Sequence, residues 1–94
     1  MNSVIIFDVS NNEEEVLKMM NARGYIKDWM AFDKRYYLPH NIIWKPNTET
    51  ERAMEDLNMA IASLNSQLSV NCELLRCIVL NSTPWSGITG KPVR

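Results

Sequence analysis

The chain has 94 residues, 46% hydrophobic and 22% charged, with ten basic and eleven acidic side chains and a net charge of −1. That length suits one domain and is too short for two. The even charge balance argues against a nucleic-acid binder held by electrostatics alone, though it leaves room for a local basic patch. No apolar run approaches the ~18–20 residues needed to cross a bilayer. The opening Met1-Asn2-Ser3 lacks the basic stretch of a secretory signal. A cytoplasmic protein with reduced thiols is therefore the expectation.

Val4–Val9 (VIIFDV) is a short β-branched apolar run, and it reads as a buried strand with Asp8 near its end. Ser10 and Glu13 have capping-box spacing, and Glu13, Glu14 and Glu15 place negative charge where a helix dipole favours it. Val16, Leu17 and Met20 give this first helix an apolar face, and Arg23-Gly24 ends it. Tyr25–Phe32 (YIKDWMAF) alternates as a second strand, although its pattern does not say which face is buried. Asp33–Asn41 reads as the turn region of a hairpin, part of which could extend the flanking strands. Pro39 within it lacks a ladder donor. Asn41–Lys45 (NIIWK) is the third strand.

Thr48 and Glu51 again have capping-box spacing, and they open the clearest helix in the chain. Thr50, Met54, Leu57, Ile61, Leu64 and Leu68 trace its apolar line, with the small Ala53 and Ala60 beside it. Val70–Leu80 (VNCELLRCIVL) is the last strand, which would set Cys72 and Cys77 on opposite faces, unable to pair. Residues 81–94 have the composition of a flexible tail. The order βαββαβ with right-handed crossovers predicts an α+β ferredoxin-like sandwich over residues 1–80. Its four-stranded antiparallel sheet would carry two helices on one face, and its first and third strands would be central.

Several chemistries fall away. The three glycines, Gly24, Gly87 and Gly90, make no phosphate-binding loop. One histidine and two cysteines on opposite faces make no zinc site. The third strand, NIIWK, lacks the aromatic consensus of an RNA-recognition motif.

Two features remain. Asp8, near the end of an apolar strand, must reach water, a partner or a metal. It could help hold Mg²⁺, with a second copy supplying another carboxylate, or hydrogen-bond the loop at Ser10 to Asn12. The hairpin gathers Lys34, Arg35, Tyr36, Tyr37, His40 and Lys45, with Trp29 and Trp44 beside it. Cations hold phosphates and rings stack on unpaired bases, so this cluster suits single-stranded RNA. The aromatic residues equally suit core or dimer contacts. If His40 acts, it does so as the side-chain type suited to proton transfer in RNA cleavage. Glu49, Glu51, Glu55 and Asp56 read as a solvated acidic face at the start of the second helix.

Phe7-Asp8 closing the first strand, then Leu38, Asn41 and Trp44 in order, then Thr48 at the second helix start, form a pattern that resembles the GhoS-type antitoxin endoribonucleases. Those are small ferredoxin-like proteins related in fold to CRISPR-associated nucleases. The resemblance spans residues 4 to 80 and implies a type V antitoxin-like regulator that cleaves a toxin messenger RNA. Asp8 or His40 would be catalytic, and Asp8 and Mg²⁺ would be the metal variant. Where that family carries arginine in the first helix, this chain offers only Lys18, which cannot replace a bidentate group. The alternative is a non-catalytic protein-interaction module, phage- or mobile-element-derived, acting through a sheet edge. A homodimer is expected under either reading.

Overall fold

The structure is a computed structural model, described here for residues 2–31, 33–82 and 86–91. Seven elements follow in order: β1 (Ser3–Val9), α1 (Glu13–Ala22), β2 (Asp28–Ala31), β3 (Lys34–Tyr37), β4 (Ile42–Lys45), α2 (Thr50–Leu68) and β5 (Leu74–Asn81). They form two antiparallel sheets. One is three-stranded in the order β4-β1-β5, and the other is the hairpin β2-β3. The expected four-stranded ferredoxin-like sheet is therefore not formed. Residues 25–31 do not run beside β4 as a strand, and among them only Ile26 pairs its backbone with β4, through a single antiparallel bridge to Trp44.

The reason lies in the local sequence. Asp33 turns the chain in the left-handed region, φ 60°, and the partners Ala31 and Lys34 close the hairpin around it. Closing so short a loop costs little conformational entropy. It also sets Trp29 opposite Tyr36, a cross-strand aromatic pair of the kind that stabilises a ladder. Pro39, without an N–H, follows β3 closely and prevents its extension. The segment expected as a turn thus supplies a strand of its own. Phe32, the expected end of the second strand, lies outside the described residues.

β1 is central, and its alternation divides the molecule. Ser3, Ile5 and Phe7 are fully buried on the side carrying both helices, while Val4, Ile6 and Asp8 face the other side and are half-buried. Val16 and Met20 from α1 and Ala53, Leu57, Ala60, Ile61 and Leu64 from α2 close the core over Ile5, Phe7 and Ile43. The small Ala53 and Ala60, both wholly buried, let α2 approach closely. Leu68, at the end of the expected apolar line, is instead exposed.

Neither capping box forms. α1 begins after Asn12, whose φ is 58°, with no side-chain cap, and the Ser10 hydroxyl instead accepts the N–H of Glu73 at 2.9 Å. Glu49, not Thr48, precedes α2, and the buried Thr48 hydroxyl donates to the carbonyl of Pro46. Gly24 behaves as expected. Its φ of 96° ends α1, and a side chain there would press on Lys45.

β5 starts at Leu74, later than the expected Val70, so Cys72 lies outside the strand and the parity argument fails. Both thiols point toward the helices, Cys72 onto the carbonyl of Asn11 and Cys77 onto the sulfur of Met54, and neither is in a disulfide. Burial raises the pKa of Cys77. No helix among the described residues is long and apolar enough to cross a membrane.

Candidate functional site

The hairpin β2-β3 rests on the outer side of the main sheet through its Trp29 and the Trp44 of β4. Trp29 meets Trp44 edge-on, with ring centroids 4.9 Å apart and planes at 88°, a favourable quadrupolar arrangement. The Trp44 indole donates to the carbonyl of Asp28 at 2.8 Å. Trp44 is opposite Val4 in the ladder, and so belongs to the outer face. Beyond β5 the chain returns to the hairpin, where the Tyr37 N–H donates to the carbonyl of Thr89 at 3.0 Å. Between the hairpin, the outer sheet face and residues 86–91 lies a cleft of about 560 Å³, walled by Trp29, Tyr36, Tyr37, Leu38, Ile42 and Ile88, with Lys91 at its margin. Residues 83–85 and 92–94 of the expected tail lie outside the described residues.

The expected RNA-binding residues divide into two groups. Lys34, Arg35, Tyr36 and Tyr37 occupy β3 together. Lys34 and Arg35 are exposed, and Arg35 makes an ion pair with Asp28 at 3.2 Å. Lys34 projects from the same side of the hairpin as Tyr36, two residues along. Lys45 is elsewhere. It lies opposite the buried Ser3, on the helix side, with its ammonium 5.4 Å from the centre of the Tyr25 ring. The fold therefore does not bring Lys45 to the aromatic cleft.

The two expected catalytic side chains are each engaged separately. Asp8, at the outer face, accepts from the Arg76 guanidinium at 2.9 Å, across the rung that pairs their strands. It does not turn back onto the loop at Ser10 to Asn12. His40 places Nε2 3.1 Å from the Glu13 carboxylate at the start of α1, while its carbonyl accepts from Lys27. Burial lowers the Lys27 pKa, and the nearby Glu13 charge opposes that shift. Within a single chain, Asp8 gives one oxygen to the Arg76 guanidinium, and no three His, Cys, Asp or Glu side chains converge among the described residues, so a Mg²⁺ there would need the carboxylate of a second copy.

Sequence reasoning missed a buried polar network. Asp56, expected on a solvated acidic face, is 2% exposed. It accepts from the Tyr25 hydroxyl at 2.8 Å and from Arg52 at 3.1 Å. Burial chiefly, then the hydrogen bond and charge of Asp56, push the Tyr25 pKa far above its ordinary value. The signal was available: Asp56 follows Ala53 by three residues and precedes Ala60 by four, which places it on the core stripe. Arg52, one helical turn earlier, can then reach its carboxylate.

The residues behind the family resemblance are largely structural. Phe7 is core, the carbonyl of Asn41 accepts its N–H, and Trp44 supports the hairpin. Comparison with models of protein families, with curated proteins and with solved structures gives no match.

Proposed function

We propose that this protein is a small regulator that recognises single-stranded RNA by stacking bases in the cleft beneath the β2-β3 hairpin. One observation supports this reading above others: Trp29, Tyr36 and Tyr37 line a single opening of about 560 Å³, with Lys91 at its margin. Its size is that of a small-ligand site. Aromatic walls accept any base, at about 1–3 kcal/mol per stacked ring. Lys34 and Arg35, exposed on the same hairpin, would meet phosphates. With a net charge of −1, binding should be weak and mildly salt-dependent. Two or three phosphate contacts give a log–log slope of roughly −1.4 to −2.1 for a single strand.

The reading is one of recognition without a strand-cutting centre. Asp8 bonds to the Arg76 guanidinium, and the His40 Nε2 lies 3.1 Å from the Glu13 carboxylate. The test is titration of the full chain with short single-stranded RNAs at low salt, following tryptophan fluorescence, together with incubation of labelled RNA with Mg²⁺ or with EDTA. Saturable quenching without new RNA fragments is expected. Absence of binding at low salt would remove the proposal, and metal-dependent fragments would replace recognition with cleavage.

A further inference from the structure

On the far side of the outer face from the hairpin, β5 is a free edge among the described residues. In the order β4-β1-β5 it bonds to β1 on one side only, while β4 is approached by Ile26. Edge strands are ordinarily short, or carry lysine or proline that discourages pairing. β5 is the longest strand, eight residues reading LLRCIVLN, six of them apolar. Leu75, Ile78 and Leu80 are 53%, 57% and 48% exposed. So much apolar surface along an unpaired backbone marks a docking strand.

We infer that a second copy of this chain pairs with β5, antiparallel, about a two-fold axis at Ile78, which joins two three-stranded sheets into one. Three observations favour this occupant. First, the described residues after β5 lie elsewhere: Thr89 is bonded at the hairpin, to the Tyr37 N–H. Second, antiparallel pairing about Ile78, near the middle of β5, keeps the two faces of the strand in register. Opposite residues in an antiparallel pair face the same side, so this axis sets Arg76 against Leu80 of the other copy and Cys77 against its Val79. Both outer-facing residues stay outside. Both residues packed on the core, Cys77 and Val79, stay inside. Third, charge does not oppose the pairing in the sheet. Asp8 neutralises Arg76 within each copy, and the two arginines fall roughly 14 Å apart, four residue rises. On the helix layer, Met54 touches Cys77 and Asn65 bonds Cys72, so α2 runs back along β5 away from the axis, and the helices of the two copies approach each other only near their first turns, where Glu51 is exposed.

Sedimentation equilibrium of the full chain from about 1 µM to about 1 mM tests the inference. A mass rising from one chain to two is expected. Ile78→Lys should weaken association at least tenfold and leave the far-ultraviolet circular dichroism unchanged. In a Cys77→Ser background, Ile78→Cys should oxidise to a covalent dimer, because residues facing each other across the axis have Cα atoms about 5 Å apart, within disulfide reach. A monomer at every concentration would overturn the inference. So would an Ile78→Lys variant that associates like the parent, or faster cross-linking at Leu75→Cys than at Ile78→Cys. The inference stands apart from the RNA reading, since either measurement can fail while the other succeeds.

Discussion

The two faces of β1 have been put to different uses. Toward the helices, Ser3, Ile5 and Phe7 are sealed beneath α1 and α2, and the polar groups there, Tyr25 and Asp56, bond to each other. Away from the helices, Val4, Ile6 and Asp8 meet a surface only partly closed. The hairpin covers the β4 side, and the β5 side stays open at Ile78 and Leu80. A fully buried face can hold only groups that satisfy one another, so it supplies stability. A half-covered face keeps apolar and cationic groups within reach of solvent, so it can supply recognition. Changes to the inner face should therefore cost folding free energy, and changes to the outer face should cost binding alone.

The largest expected effect is Leu57→Ala, which empties a wholly buried site between α2 and the sheet. It should lower the free energy of urea unfolding by about 2–5 kcal/mol. Asp56→Ala comes next, at about 2–3 kcal/mol, because it leaves the Tyr25 hydroxyl buried without its acceptor. If either variant unfolds at the parent's urea midpoint, the inner face is not the stabilising one.

Alkaline titration sharpens the point. The pKa of Tyr25 is raised in the folded state above the ordinary 10.0, so the folded chain keeps a proton that the unfolded chain releases. Stability from this group is fully present below about pH 10 and is lost as pH climbs above it. Lys27 runs the other way, since its lowered pKa makes folding less favourable until the ammonium is neutralised. Subtracting the profile of Tyr25→Phe isolates the tyrosine, and a difference that does not decline above pH 10 would contradict the buried network. The smallest stability effects belong to the outer face. Ile78→Lys should leave the unfolding free energy of the monomer within about 0.5 kcal/mol, as befits a surface position.

Periodicity made the two best-covered elements readable. β1 announced itself by a β-branched run, and α2 by apolar residues at steps of three and four beside Ala53 and Ala60. The hairpin was harder, because YIKDWMAF can extend a large sheet or fold onto KRYY, and short-range closure at Asp33 decided the matter. Lys45 was misplaced for a related reason. Its side of the sheet follows from its partner, Ser3, and pairing partners are not written in a strand's own sequence. Asp56 could have been placed from its spacing, but its charge suggested solvent. Of the candidate site, the β3 residues were found together, Lys45 was not among them, and the contribution of residues 86–91 to the cleft carried no signal in their loop-like composition.

The division of labour is tested most directly by one titration, tryptophan fluorescence against single-stranded RNA at low salt, run on the parent chain and on Tyr36→Ala. Saturable quenching in the parent, weakened about fivefold or more by a substitution that removes one stacking ring, is the result expected here. A parent that does not respond to RNA, or a Tyr36→Ala chain that responds as strongly, would contradict the assignment of recognition to the cleft.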